Sequence, residues 1–184
     1  VALPESHGGA GYGFYEAAML LEEHGRAVAP IPFLETLVGS GLLADFAADE
    51  MQARWLPGVA AGDVMIALAL AEEGNVDPLR PSVQATPAGS GYTLTGEKVA
   101  VVDAHVADLL LVTAALPDGT AAVFAVTPGD GVSLEHQISV HRAVAPNVTL
   151  SGAPAQMVGG PGSSAGSEPG APSAAARALV QRYL

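Results

Sequence analysis

Segment 91–112 constrains the fold of this 184-residue chain more than any other stretch. Its first residues alternate between apolar and polar side chains, as the residues of a half-buried strand do. We predict a turn at 96–98, a short strand over 99–102 and a further strand that begins at residue 109. Strands separated by such short turns are typical of a small antiparallel sheet or barrel.

The composition excludes several classes of protein. The chain carries 19 acidic and 7 basic residues, and it lacks the clustered basic side chains that a nucleic-acid-binding protein needs. It has no cysteine, which excludes disulfides, thiolate catalysis and cysteine-type zinc sites and fits a cytoplasmic protein. The longest apolar run, 64–71, is much shorter than the ~20 residues of a membrane span.

The first third of the chain predicts helices. Helical periodicity covers 14–24, where Gly25 stands as the expected C-terminal cap. After Pro30 and Pro32 break the chain, we predict a second helix over 33–46, weakened by Gly39 and Gly41. Asp49 and Gln52 have the spacing of a capping box, so we expect Asp49 to cap a third helix.

The character of the sequence changes at residue 64. Short strand patterns alternate with Gly/Pro turns, at 64–70, 91–95, 99–102, 109–113, 121–127, 132–135 and 147–150. We therefore predict an α+β fold with an N-terminal helical domain over 1–63 and a small antiparallel β-barrel over 64–158. A flexible Gly/Ser/Pro linker over 159–172 would then lead into the start of a C-terminal helical domain at 173–184, capped by Ser173. The chain begins without Met and ends inside a helical pattern, so we expect it to be part of a longer protein.

The polar residues do not form a recognisable catalytic or metal-binding motif. The histidines are widely separated, at His7, His24, His105, His136 and His141, and we predict no metal site. The glycine run 8–13 lacks the dinucleotide-binding spacing and the preceding strand, so we interpret it as a tight turn. Glu72 and Glu73 would point to opposite faces of a strand, which excludes a carboxylate pair, and we expect surface or loop roles for both.

Four segments together resemble the acyl-CoA dehydrogenase family, in that family's order and spacing. The segment 3–11 resembles its P-E-x-x-G-G-x-G loop, and 20–32 resembles an E-E-x-G-R-x-x-x-P-x-P stretch of actinobacterial-type members. The segment 52–63 resembles Q-x-x-W-L-P-x-x-x-x-G-[ED], and 96–102 resembles G-x-K-x-W-I-[ST].

This resemblance implies an enzyme of lipid metabolism that oxidises an acyl-CoA thioester, with FAD as the hydride acceptor. It also implies a homo- or hetero-oligomer with other acyl-CoA dehydrogenase subunits. The family's base lies in a C-terminal bundle, so no catalytic residue is named here. The FAD-binding positions that it implies are Leu68, Leu70, Ala71, Ala100, Val101 and Val102.

Three of these positions depart from the family pattern. Ala71 replaces a hydroxyl residue, Ala100 replaces an aromatic residue and Val102 replaces a second hydroxyl residue. Each lost hydroxyl hydrogen bond costs ~1 kcal/mol of flavin binding. Two hypotheses follow: an active FAD-dependent acyl-CoA dehydrogenase, or a catalytically degenerate partner subunit of a heteromeric acyl-CoA dehydrogenase that does not bind FAD itself.

Overall fold

The computed structural model describes residues 2–29, 31–75, 77–137, 143–159 and 173–183. In these ranges the helices are α1 (Phe14–Ala27), α2 (Phe33–Phe46), α3 (Asp49–Ala61) and α4 (Ala174–Tyr183). The strands are β1 (Ile66–Ala69), β2 (Gln84–Ala88), β3 (Gly91–Lys98), β4 (Leu109–Ala115), β5 (Ala121–Val126), β6 (Val132–Glu135) and β7 (Asn147–Val158). The predicted α+β order, helices first and strands after, is confirmed, whereas the predicted linker lies outside the described residues except for Gly159.

The helices match the prediction in position but differ at their ends. Helix α1 continues through Gly25, and Val28 takes the left-handed conformation at φ 47° that we expected of the glycine. Ala48, not Asp49, is the N-cap of α3. Gln52 does not complete a capping box, because its amide donates instead to two carbonyls at the end of α2 and just after it.

The strands form a barrel in which β4, β5, β7, β3 and β2 follow one another and β2 returns to β4. The pairings around this circuit are antiparallel except at the closing seam, where β2 and β4 meet in parallel through Gln84 and Ala115. Strand β1 adds to β4 in parallel, and β6 adds to β7. The predicted barrel is therefore confirmed, with two parallel pairings in a mostly antiparallel sheet.

Two predictions for segment 91–112 are wrong. The chain does not turn at 96–98, because β3 stays paired with β7 as far as Lys98. Residues 99–102 are not a strand but the start of a loop that crosses to β4, with Ala100 at φ 51°. Strand β2 was not predicted at all, since its Pro87 and polar neighbours read as a turn.

Side-chain alternation along β4 separates two hydrophobic cores. Leu109 and Leu111 belong to a cluster shared with α2, α3 and α4, whereas Leu110 and Val112 belong to a cluster inside the barrel. Helix α4 joins the first cluster and is capped as predicted, since the Ser173 hydroxyl accepts from the Ala176 amide at 3.1 Å. Within the described ranges, no helix has the length and apolar character that crossing a bilayer requires.

Candidate functional site

The two segments that were predicted to contact a flavin lie side by side. Leu68 is in β1, Leu70 and Ala71 follow directly, and 100–102 begins the loop after β3. The amide of Val99 donates to the carbonyl of Ala71 at 2.9 Å, which joins the end of one segment to the start of the other. The structure thus brings the predicted residues to one edge of the barrel.

Only half of the predicted residues present their side chains at this edge. Leu68 and Leu70 are buried in the core between barrel and helices, and Val101 is buried inside the barrel. Ala71 and Ala100 are exposed and Val102 is half-buried. The surface that these six positions offer to a ligand therefore carries aliphatic side chains without a hydroxyl, a ring or a charge.

The loop at this edge is tightly anchored. The Ala100 amide donates to Asn147 Oδ1 at 3.2 Å, and the Val101 amide donates to the Pro146 carbonyl at 3.0 Å. The Asp103 amide donates to the carbonyl of residue 144 at 3.1 Å. Both Ala100 and Asp103 have left-handed backbone, at φ 51° and 56°, a conformation that costs residues with a Cβ ~1 kcal/mol or more each.

A buried ion pair lies beneath the edge. Lys98 ends β3 with its side chain fully buried, and its Nζ is 2.7 Å from Glu72 Oε1. The same ammonium donates to the Leu70 carbonyl at 3.2 Å and to the Thr113 hydroxyl at 2.9 Å. All three donors of the lysine are therefore used, as a charge inside a protein requires.

Both carboxylate oxygens of Glu72 likewise accept hydrogen bonds. Its Oε1 accepts from Lys98 and from the Val83 amide at 3.2 Å. Its Oε2 accepts from the amide and the hydroxyl of Ser82, both at 2.6 Å, and from Asn75 Nδ2 at 3.1 Å. The predicted surface or loop role of Glu72 is wrong: it is a buried junction between β1, β2 and β3, whereas Glu73 beside it is exposed.

The protonation of this pair follows from its surroundings. Burial alone would raise the pKa of Glu72, but the hydrogen bonds from Lys98 and Ser82 outweigh burial and lower it from 4.5 to about 2. Burial acts on Lys98 in the direction that lowers its pKa, and Glu72 opposes it. The short contact and the five donors around the carboxylate favour the ionised pair at neutral pH. A carboxylate held in this way is a structural anchor and a poor proton acceptor.

The other polar residues considered as catalytic or metal-binding candidates lie less close together. The rings of His105 and His136 are 6.2 Å apart, both on exposed loops, while His141 lies outside the described residues. The described part of the chain holds no group of three or more potential metal ligands. In the glycine run, Gly8 adopts φ 79° after the short 3-10 helix Glu5–His7, which confirms a tight turn there.

The donors at the edge decide whether a flavin fits. The predicted positions offer no side-chain hydrogen bond, and the amides of Ala100 and Val101 already donate within the chain. Backbone groups without a ring or hydroxyl do not match the contacts that the family pattern implies. The side chains therefore do not fit specific FAD binding by this chain alone.

Sequence reasoning missed both residues that hold this edge, Lys98 in its ionic role and Asn147. The signal for the ion pair was present, since Glu72 follows one long apolar run and Lys98 immediately precedes another. Charged residues at the ends of buried strands need partners. No comparable signal marks Asn147, which lies 47 residues from its partner Ala100.

Comparison with known proteins gives a consistent picture. The family model described as "Acyl-CoA dehydrogenase, N-terminal domain" matches residues 1–63. Acyl-CoA dehydrogenase FadE27 of Mycobacterium tuberculosis is 38% identical over 164 residues, which are 86% of this chain and 43% of FadE27. Acyl-CoA dehydrogenase FadE28 of the same organism is 42% identical over 134 residues, which are 72% of this chain and 37% of FadE28. The chain thus spans less than half the length of these curated relatives.

Solved structures give the same result for the fold. A variant of the Tcur3481–Tcur3483 steroid ACAD matches with a TM-score of 0.82 and 41% identity, over 86% of this chain and 44% of that chain. The ChsE4–ChsE5 complex from Mycobacterium tuberculosis matches with a TM-score of 0.81 and 32% identity, over 97% of this chain and 46% of that chain.

Proposed function

We propose that this chain, which belongs to the acyl-CoA dehydrogenase family, serves as the partner subunit of a heteromeric acyl-CoA dehydrogenase and does not hold FAD by itself. One observation carries the proposal: Ala71, Ala100 and Val102 leave the predicted flavin edge without a hydroxyl or an aromatic ring. Two lost hydroxyl hydrogen bonds and one lost ring stack together cost a flavin ~3 kcal/mol, or roughly a hundredfold in affinity.

The relatives support an assembly of unlike chains. The names of the two structural relatives described above each pair two different proteins, Tcur3481 with Tcur3483 and ChsE4 with ChsE5. A subunit that has lost its own flavin contacts fits such an assembly, because an unlike partner can supply the missing groups.

In this proposal the assembled enzyme catalyses α,β-dehydrogenation of an acyl-CoA thioester. FAD supplies the chemistry of hydride acceptance when bound. This chain contributes the barrel and helices that support the assembly, and the Lys98–Glu72 pair fixes the edge from beneath. No described residue is assigned as the catalytic base, since Glu72 is occupied by five donors.

The second candidate is an active flavoenzyme that oxidises acyl-CoA as a homo-oligomer. One observation favours it: the two predicted segments adjoin, which brings backbone groups of both to one edge of the barrel. Backbone donors at such an edge would bind a ring system without help from side chains. The domain bounds 1–63, 64–158 and 173–184 and the cytoplasmic location stay predictions under either candidate.

The experiment is to purify the whole protein alone and after co-expression with an acyl-CoA dehydrogenase subunit encoded next to it. We expect the protein alone to be colourless and inactive, and the co-purified complex to be yellow and to reduce a dye with an acyl-CoA. A yellow, active homo-oligomer contradicts the first candidate and supports the second.

A triple variant tests whether the three replaced side chains are what limits flavin binding. Ala71→Thr, Ala100→Trp and Val102→Thr together restore the residue types of the family pattern, and we expect them to raise the affinity of the protein alone for FAD by roughly a hundredfold. The same substitution types at Ala53, Ala88 and Val132, which are exposed or half-buried and lie away from this edge, provide the control for altered folding. An unchanged affinity in the first variant would show that these three side chains are not what limits flavin binding.

A further inference from the structure

A cleft lies at the end of the barrel opposite to the predicted flavin edge. Its volume is about 510 Å³, within the range of roughly 300–1,000 Å³ that is typical of small-molecule sites. The walls come from α3, the β2–β3 hairpin, the turn after β5 and strand β7. The hairpin precedes β3 and the flavin edge follows it, so the length of this strand, roughly 25 Å, separates the two places.

Two aromatic side chains line the cleft, and each packs against a different hydrophobic core. Trp55 of α3 is half-buried and packs against the core between barrel and helices. Tyr92 of β3 is half-buried and packs against the core inside the barrel, where its ring meets Phe124 edge-on with 5.1 Å between the centroids. The two cores therefore fix both rings before a ligand binds. Rings held in this way are typical of a site that takes a ligand with a planar ring.

Arg54 adds a positive charge to the same cleft. Its guanidinium carbon lies 4.8 Å from the centroid of the Trp55 ring, and the residue is exposed. Among the residues that the structure describes, no carboxylate forms an ion pair with this guanidinium. A guanidinium stacked on an indole keeps its N–H groups available, and they match the paired oxygens of a carboxylate.

The other charged side chain in the described lining determines the orientation of a ligand. Asp130 lies in the turn after β5, is exposed and does not pair with Arg54. A ligand anion is therefore attracted to the α3 side of the cleft and repelled from this turn. Thr127 and Gln156 are exposed in the same lining and supply a hydroxyl and an amide for further hydrogen bonds.

The acidic charge of the chain narrows the class of ligand. A formal net charge of −12 repels small anions from the surface as a whole, and Arg54 is a single cation. A phosphate group carries about −1.5 to −2 at neutral pH and is repelled more strongly than a carboxylate. An anion therefore needs contact between a ring and the aromatic walls to bind here, and a carboxylate suits the site better than a phosphate.

We propose that this cleft binds a small aromatic carboxylate, with its ring against Trp55 and Tyr92 and its carboxylate on Arg54. The site is separate from the flavin edge, and it does not depend on the function proposed above.

The first measurement is isothermal titration calorimetry of the whole protein with 2-naphthoate. The uncharged 2-naphthamide has the same ring, and acetate has the carboxylate without a ring. We expect 2-naphthoate to bind about tenfold more tightly than 2-naphthamide, and acetate to bind more weakly still. No binding of 2-naphthoate, or equal affinities for the acid and the amide, overturns the proposal.

The second measurement repeats the titrations with variants. Arg54→Gln should weaken 2-naphthoate about tenfold and leave 2-naphthamide unchanged. Arg26→Gln removes another exposed arginine, far along the chain on α1, and is the matched control that should change neither affinity. Binding that Arg54→Gln leaves unchanged overturns the proposal, as does a loss that is equal in the two variants.

Trp55 tests the role of the ring in the same way. Trp55→Leu should weaken 2-naphthoate and 2-naphthamide alike, by about threefold to tenfold. If this variant fails to fold, Trp55→Phe keeps the test, because a smaller ring should weaken both ligands by about twofold to threefold. Unchanged affinity for both ligands in a folded Trp55 variant overturns the stacking role and with it the proposal.

Discussion

Lys98 Nζ lies 2.7 Å from Glu72 Oε1, and both side chains are buried beneath the edge at which β1 and the loop after β3 meet. The pair joins the end of β3 to the segment that follows β1. A backbone hydrogen bond from the Val99 amide to the Ala71 carbonyl also links these two segments. Its contribution to stability comes mainly from what its loss would leave behind, an unpaired charge inside the barrel.

We expect Lys98→Met to destabilise the protein by about 3–5 kcal/mol, because it leaves the buried Glu72 carboxylate without its counter-charge. Urea unfolding followed by circular dichroism measures this change. The control is Arg26→Ala, which removes exposed ion pairs with Glu22 and Glu23 and should change stability by less than ~1 kcal/mol. Equal effects of the two substitutions would contradict the buried ionic role of Lys98.

The same pair predicts acid sensitivity. Glu72 has a pKa near 2 in the folded protein against an ordinary value of 4.5, so the unfolded chain binds its proton first as the pH falls. The stabilisation is complete above pH 4.5, decreases as the pH falls from there towards 2, and amounts to about 3 kcal/mol. Unfolding free energies measured across this window should lose that dependence in Glu72→Gln. A variant with the same slope as the unsubstituted protein would assign the acid sensitivity to other groups.

Two helix glycines should respond oppositely to the same substitution. A Cβ on Gly39 of α2 would lie 2.6 Å from Ile66 Cγ2 in β1, so Gly39→Ala should destabilise by about 1–3 kcal/mol. A Cβ on Gly25 of α1 meets nothing within 4 Å, so Gly25→Ala should stabilise the protein by about 0.5–1 kcal/mol. Thermal unfolding of both variants measures the difference, and a stabilising Gly39→Ala would contradict the close packing of α2 on the barrel.

Backbone strain at Ala100 makes a separate prediction. Glycine adopts φ 51° without penalty, so Ala100→Gly should stabilise the protein by up to about 1 kcal/mol, less the extra entropy of glycine in the unfolded chain. Ala122→Gly, at a buried position inside β5, should instead destabilise it. The two melting temperatures should therefore shift in opposite directions. A destabilising Ala100→Gly would show that the methyl group itself contributes to packing.

Periodicity predicted much of the fold, and long-range contacts account for most of what it missed. Helix α2 has the predicted start because Pro30 and Pro32 break the chain directly before it, and β6 has the predicted bounds because its residues alternate between half-buried and exposed. Strand β3 extends past Gly96 only because β7 pairs with it, and β7 continues past Gly152 and Pro154 for the same reason. Such pairing depends on residues some fifty positions away, which local patterns do not report.

The candidate site was likewise predicted only where it did not depend on long-range contacts. Family resemblance placed Ala71 and Ala100 together, and the structure joins their segments. It did not indicate that Leu68, Leu70 and Val101 are committed to the two cores, since their burial depends on helix and barrel packing. The role of Glu72 was missed because its partner Lys98 lies on another strand.

The flavin content of the whole protein, purified alone and incubated with excess FAD, tests the central claim most directly. If this chain is a partner subunit with no flavin site of its own, gel filtration should separate it from the FAD, and flavin should be retained only in the complex with its partner chain. One tightly bound FAD for each chain in the protein alone would contradict that account.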